Sequence, residues 1–212
     1  MSENNNNEQQ SANQLLVRNM LLKDRRPAFQ AMIRHYALDR FQTISGFTDL
    51  HTEDHEKIDA FVYGAHQAMI IVSGNDVRIA FKAHFNYKNV LPLVRVLTGA
   101  EELTPRAKGL VIDTFREYTN LTAGAIKGEL ETLDMVTGIS LPIFSSGYDE
   151  IISSDTLKPR RNYDYFRIKS KHLTFNCTVW FDVVNEQPVE NYNFTPKGSE
   201  VSTNEDDGVD FL

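Results

Sequence analysis

Cysteine is nearly absent from this sequence, and long apolar runs are absent altogether. The single cysteine, Cys177, cannot build a disulfide framework, and its apolar, strand-like surroundings are typical of a buried and unreactive thiol. No run of about 18 apolar residues occurs, so the sequence predicts no insertion into a membrane. The N-terminal residues lack the basic and apolar regions of a secretory signal. We therefore expect a protein of the reducing cytoplasm.

Positive charge is outnumbered, since 22 Lys and Arg stand against 29 Asp and Glu, which gives a net charge of −7 over 212 residues. The acidic residues are concentrated near the ends of the chain. Residues 186–212 contain seven acidic side chains against Lys197, and residues 1–13 contain Glu3 and Glu8, which leaves a net charge of +1 for the rest. A nucleic-acid-binding domain would concentrate basic residues on one surface. We therefore expect no nucleic-acid partner.

Composition divides the chain into three parts. Residues 1–13 are of low complexity and rich in Asn, which predicts a disordered N-terminal tail. Residues 14–185 contain all of the periodic apolar segments, and we expect them to form one domain. Residues 186–212 are acidic and lack periodicity, which predicts a flexible acidic C-terminal tail.

The apolar periodicity of the central part predicts an α+β domain. Alternating apolar residues over 68–85 and over 163–184 each indicate a β-hairpin with one buried face. Helices are expected from residue 14 to about 42, with a kink near Pro27, and from Tyr87 to Glu102. Helices that alternate with hairpins favour one mixed or antiparallel sheet with long helices packed on one face.

The longest predicted helix carries the most informative motif. It begins at Thr104-Pro105, where a hydroxyl can cap the helix and a proline takes its first position, and it runs to about Asp134. Within it, Glu117, Asn120 and Gly124 are spaced three and then four residues apart. They fall within roughly 60° of one another around the helix axis, so they form one stripe.

This stripe is expected to face solvent, with Asp113 and Arg106 on the same side. The apolar residues of the helix lie mostly on the other side: Leu110, Val111, Phe115, Tyr118, Leu121, Ala125, Ile126 and Leu133. Asn is a mediocre helix former, and Gly costs about 0.8–1 kcal/mol relative to Ala in a helix interior. Residues that break a local rule on an exposed surface are candidates for function.

The pattern Glu117-x-x-Asn120-x-x-x-Gly124 on a long helix resembles the signature of the CheX/CheC/FliY chemotaxis phosphatases. Upstream, Gly74 lies at a hairpin turn before an apolar strand. Downstream, the run Gly138-Ile139-Ser140-Leu141-Pro142-Ile143 is similar to the extended segment that follows the motif helix in this family. The resemblance covers about residues 60–185, and neither tail belongs to it.

The sequence departs from the family pattern in two ways. Tyr118 and Thr119 stand between Glu and Asn, where a small or apolar pair is expected. The first long helix carries no second motif, so the likeness is to the single-site, CheX type. Proteins of that type form homodimers, and the resemblance therefore implies a homodimer here.

The resemblance implies a specific activity and specific site residues. The activity is removal of the phosphoryl group from the aspartyl-phosphate of a CheY-like response regulator. Asn120 would position the attacking water, and Glu117 would pair with a lysine of the partner. Asp113, Gly124 and Lys127 would contact the partner. Magnesium would be supplied by the partner receiver domain, so the chain itself needs no cofactor.

Other readings of these residues stay open at the level of sequence. Glu117 and Asn120 can be an ordinary solvated helix face, Gly124 can pack against another element, and the same fold can serve as a non-catalytic binding module for a receiver or a flagellar switch component. The run from His51 to His55 has the spacing of metal ligands but no third strong ligand. The acidic tail, which ends in Phe211-Leu212, can dock on a partner as a short peptide or simply aid solubility.

Overall fold

The computed structural model describes residues 27–54, 64–99, 101–147, 162–189 and 191–196. Within these residues, seven strands form one antiparallel sheet that is accompanied by three helices, which confirms the predicted α+β class. No helix in this part of the chain is long and apolar enough to cross a membrane.

The sheet is antiparallel throughout, with the strand order β1-β6-β7-β3-β2-β4 and with β5 paired to a second part of β2. Both predicted hairpins are confirmed, as β2–β3 and β6–β7. The strands are β1 His51–Asp54, β2 His66–Gly74, β3 Val77–Phe85, β4 Thr137–Ile139, β5 Ile143–Ser146, β6 Asn162–Lys169 and β7 Thr174–Val183.

The glycine at the end of β2 is required by a close approach of the backbone. A Cβ atom at Gly74 would collide with the backbone carbonyl of Val136, in the segment that leads into β4. Because β4 pairs with the end of β2, only a residue without a side chain allows the two backbones to approach this closely.

Three α-helices follow the predicted positions with shifted ends. Helix α1 is described over residues 27–45, and the part predicted from residue 14 to 26 lies outside the described residues. Helix α2 is Leu91–Thr98, α3 is Pro105–Glu131, and a short 3₁₀ helix is Gln187–Val189. Thr104 caps α3 as predicted, because its hydroxyl oxygen accepts a hydrogen bond of 3.1 Å from the amide of Ala107. The helix ends at Glu131 and not at Asp134, and α2 is shorter than the predicted span.

An aromatic cluster joins α1 and α3 to the same face of the sheet. Phe41 of α1 and Phe115 of α3 both contact the ring of Phe175 on β7, with ring centroids 4.6 Å and 5.1 Å apart. Phe115 also stacks on Phe85 of β3 at 3.9 Å and 13°. Aromatic pairs at these separations are stabilising beyond the area they bury. The long helices therefore lie on one face, as predicted.

Tyr118 lies at the centre of this cluster. Its side chain is fully buried, and its ring contacts four others: Phe41, Phe81, Phe115 and Phe175. Its hydroxyl lies 3.8 Å from the sulfur of Cys177, and burial raises the pKa of Tyr118 well above its usual value. Burial also raises the pKa of Cys177 above that of a free thiol, and the prediction that this cysteine is buried is confirmed.

An ion pair to a buried carboxylate fixes α1 to strand β6. The guanidinium of Arg34 forms two hydrogen bonds to the carboxylate of Asp164 on β6, at 2.8 Å and 2.6 Å. It also pairs with Asp54 on β1. The hydrogen bonds to Asp164, followed in size by the opposing effect of burial, leave the pKa of Arg34 above its usual value. Helix α1 is therefore held near its C-terminal end by aromatic contacts and near its middle by charge.

The chain after β7 stays packed on the domain, which corrects the predicted start of the tail at residue 186. Val189 is buried in the core, and Tyr192 donates its hydroxyl to the carboxylate of Glu129 on α3 at 3.3 Å. The ring of Phe194 packs against α1. These apolar residues have no regular spacing, so periodicity alone did not reveal that they pack. The prediction for residues 1–13 lies outside the described residues.

We predict opposite stability effects at two neighbouring positions of α3. Tyr118→Ala should lower the free energy of unfolding by about 3–5 kcal/mol, because it leaves a cavity among four rings. Glu117→Ala should change it by less than about 0.5 kcal/mol, because the carboxylate is exposed. Urea denaturation of both variants measures the difference. Equal losses would mean that α3 does not pack with this rotation.

Candidate functional site

The exposed face of α3 carries the motif residues. Asp113, Glu117, Asn120 and Gly124 are all exposed, and we name these four residues the α3 stripe. The helix buries its opposite side through Ala107, Val111, Thr114, Phe115, Tyr118, Thr119, Thr122, Ala123, Ile126 and Leu130. The predicted exposure of the stripe is confirmed, and its four residues lie together on one continuous helix.

Glu117 and Asn120 are free to bind another molecule. Neither side chain forms a hydrogen bond or an ion pair with any part of the chain that the structure describes. Both rise from the middle of a helix of 27 residues that is anchored by the aromatic cluster. A carboxylate and a carboxamide one turn apart on a rigid support are positioned before any ligand arrives.

Tyr118 and Thr119 do not crowd the α3 stripe. Both side chains are fully buried, and the hydroxyl of Thr119 donates a hydrogen bond of 2.9 Å to the backbone carbonyl of Arg116. Residues between the two motif positions point into the domain because the helical repeat rotates them by about 100° and 200° from Glu117. Tyr118 and Thr119 therefore belong to the core and leave the exposed surface to the residues of the stripe.

Three glycines leave this face of the helix without protruding side chains at their positions. A Cβ atom at Gly109, Gly124 or Gly128 would meet nothing within 4 Å. The alternative that Gly124 packs against another element is therefore wrong within the described residues. Each glycine costs about 0.8–1 kcal/mol relative to alanine, and no intramolecular contact compensates for this cost. A smooth face suits the close approach of a partner.

Charged side chains flank the stripe in loose surface pairs. Arg116 lies 3.6 Å from Asp113, and Lys127 lies 3.1 Å from Glu131, one turn further along the helix. Lys127 is 37% exposed and continues the direction of the stripe beyond Gly124. Exposed ion pairs are worth about 0–1 kcal/mol, so these groups can exchange their intramolecular partners for those of another molecule.

A row of three rings with a cation at each end runs beside the N-terminal half of α3. The guanidinium of Arg116 lies 5.6 Å from the ring centre of Phe144 on β5, which stacks on His66 of β2 at 6.0 Å and 16°. His66 contacts the ring of Tyr87 at 4.5 Å, and the ammonium of Lys108 lies 5.6 Å above Tyr87. We name these five residues the cation–aromatic row.

The sequence did not indicate this row. Its members come from α3, β5, β2 and the turn after β3, so only folding brings them together. The one available signal was that Arg116 stands four residues before Asn120, which places a cation about one helical turn from the motif. Burial, followed by the nearby charge of Lys108, lowers the pKa of His66, whose Nδ1 lies 3.0 Å from the hydroxyl of Ser146.

The residues considered as metal ligands near β1 are engaged elsewhere. The carboxylate of Glu53 accepts a hydrogen bond of 2.9 Å from Lys169, and Asp54 pairs with Arg34. His51 lies 3.3 Å from Glu53, and His55 lies outside the described residues. No group of three His, Cys, Asp or Glu side chains that could hold a metal ion occurs among residues that the structure describes.

Solved structures that share this architecture are chemotaxis proteins. A CheC-like superfamily protein from Shewanella sp. PV-4 matches with a TM-score of 0.57 and 18% identity, over 73% of this chain and 97% of its own. CheX from Vibrio vulnificus matches with 0.55 and 17%, over 71% and 96%. A chain of the CheX–CheY–BeF3–Mg²⁺ complex from Borrelia burgdorferi matches with 0.56 and 15%, over 72% and 96%. No protein-family model and no curated protein matches the sequence. The fold is thus CheC/CheX-like, as predicted.

We predict that alanine at the three glycines of α3 stabilises the protein. Gly124→Ala, Gly109→Ala and Gly128→Ala should each raise the free energy of unfolding by about 0.8–1 kcal/mol, because the new methyl group meets no neighbour and favours the helix. Urea denaturation of the three single variants measures this. A loss of stability in any of them would show that the position is more tightly packed than described.

Proposed function

We propose that this chain, with its CheC/CheX-like fold, is a phosphatase that removes the phosphoryl group from the aspartyl-phosphate of a CheY-like response regulator. The observation that carries the proposal is the unengaged pair Glu117 and Asn120, one turn apart on an exposed and anchored helix. A solved neighbour of the same fold stands in a complex with CheY, BeF3 and Mg²⁺, which supports a CheY-like partner and a role in chemotaxis.

Asn120 acts on the attacking water. Hydrolysis forms a bond from the water oxygen to phosphorus and breaks the bond from phosphorus to the partner's carboxylate, which releases inorganic phosphate. Catalysis of this step is mostly positioning and electrostatic stabilisation, and a carboxamide can hold the water in line, as glutamine does in GTPases. The short side chain of Asn120 on a rigid helix limits the positions that the water can take.

Glu117 orients the complex. Its exposed carboxylate lies one turn before Asn120 and pairs with a lysine beside the phosphorylated aspartate of the partner. Charge pairs across an interface fix register and raise the association rate more than they raise affinity. This contact therefore places Asn120 over the phosphorus atom rather than contributing to the chemical step.

The remaining stripe residues shape the contact surface. Gly124 keeps the helix low enough for close approach, while Asp113 and Lys127 provide charges at either end of the surface. Magnesium belongs to the partner, whose receiver domain binds it together with the phosphoryl group. We further propose a homodimer, on the likeness to single-site proteins of this fold.

We predict that Asn120→Ala lowers the rate of dephosphorylation by about 10²–10³, since one positioning group is lost. Its free energy of unfolding should be unchanged or slightly higher, because alanine is the better helix former. The measurement is the rate at which phosphorylated receiver domains from the organism that makes this protein lose their phosphoryl group. The rate with the wild-type protein is compared with the rate with the variant.

Arg106→Ala is the matched control, because Arg106 is exposed on the same side of α3 about 20 Å away along the axis. It should retain the wild-type rate. Phosphorylated receivers that bind the wild-type protein without faster decay would instead make the chain a non-catalytic binding module. If receivers neither decay faster nor bind, the proposed function is wrong.

We predict a different kinetic signature for Glu117→Gln. Loss of the docking charge should raise KM by about 3- to 10-fold and weaken its dependence on salt, while kcat falls less than it does for Asn120→Ala. Steady-state dephosphorylation at several ionic strengths separates the two effects. A fall in kcat alone would place Glu117 in the chemical step.

A further inference from the structure

The cation–aromatic row offers a second surface next to the α3 stripe. Arg116 precedes Glu117 directly and lies one turn before Asn120, whereas Lys108 lies about 12 Å further towards the N-terminus of the helix. Arg116 and Lys108 are exposed, and the rings of Phe144 and Tyr87 are half-buried. The row therefore extends from the edge of the stripe along one side of α3.

The charges of the row are almost uncompensated. Among the described residues, Arg116 has Asp113 as its acidic neighbour at 3.6 Å, which is a long and exposed contact. Lys108 forms no ion pair in this part of the chain. A surface with one unpaired cation and one loosely paired cation over flat rings favours a partner that presents carboxylates.

The chemistry of the proposed reaction identifies such a partner. A receiver that binds Mg²⁺ beside its phosphorylated aspartate holds the ion through one or two carboxylates together with the oxygens of the phosphoryl group. The surface around the phosphorylated aspartate is therefore acidic. When Asn120 reaches the phosphorus atom, the side of α3 that carries Arg116 faces the rim of that acidic surface.

We propose that the cation–aromatic row is a second docking surface of this phosphatase and that it binds the acidic rim around the phosphorylated aspartate of the receiver. This inference rests on the proposed function. Arg116 contacts the part of the rim closest to the phosphoryl group, and Lys108 contacts the outer part. The rings hold both cations in place and exclude water from one side of each contact.

A purely structural role for the row makes a different prediction. If Arg116 and Lys108 served only to cover Phe144 and Tyr87, their replacement would act through stability alone. Exposed cation–π contacts contribute little to folding. Docking through charge should instead change KM and its response to salt, which a loss of packing would not change selectively.

The test compares Arg116→Gln, Lys108→Gln and the double variant in receiver dephosphorylation at several salt concentrations. The double variant should raise KM by about 10-fold, with kcat within about 2-fold of wild type and a weaker dependence of KM on salt. Arg116→Lys should retain most of the wild-type salt dependence, because it keeps the charge. Melting temperatures of all variants should stay close to that of the wild type.

Lys171→Gln is the matched control. Lys171 is exposed in the turn between β6 and β7, is not a member of the row, and its replacement removes the same charge. It should leave KM unchanged. An unchanged KM in the double variant, while the wild type still dephosphorylates the receiver, would overturn the docking surface and leave the proposed function intact. A lower kcat at constant KM would also overturn it. A wild-type protein that accelerates no receiver would overturn the proposed function and this inference with it.

Discussion

The insertion of Tyr118 into the aromatic cluster is the contact on which the presentation of the candidate site depends. Its ring contacts residues from α1, β3 and β7, so the helix cannot rotate without emptying the core. The direction of Asn120 differs from that of Tyr118 by about 160° around the helix axis. Burial of one side chain therefore forces exposure of the other, and the fixed core transmits its rigidity to the proposed catalytic group.

The exposed face of α3, opposite Tyr118, carries residues that helix stability alone would not select. Gly109, Gly124 and Gly128 leave open space where alanine would fit, and Asn120 occupies a position that better helix formers could take. A long, well-capped helix with a buried aromatic side tolerates these losses. Their concentration on the face that carries Glu117 agrees with selection for the approach of another macromolecule, since close contact between rigid surfaces needs small or absent side chains.

Several elements followed from local rules, whereas others depended on distant contacts. The start of α3 at Thr104 and the two hairpins were predictable, because capping and alternation involve neighbouring residues. The packed segment after β7 was missed, because Val189, Tyr192 and Phe194 have no periodic spacing. The cation–aromatic row was missed for a similar reason, since its rings are supplied by strands and turns far from α3 in the chain.

The sequence by itself determined that Glu117, Asn120 and Gly124 share one face of a helix, because that relation follows from their spacing and the helical repeat. It also determined the class of the fold through its apolar periodicity. Only the tertiary structure decided that Glu117 and Asn120 form no hydrogen bond or ion pair with the described residues, and that Arg116 borders them at one end of a row of rings. Contacts between segments distant in sequence decide which side chains are buried and which lie next to one another. Local spacing carries no information about these contacts.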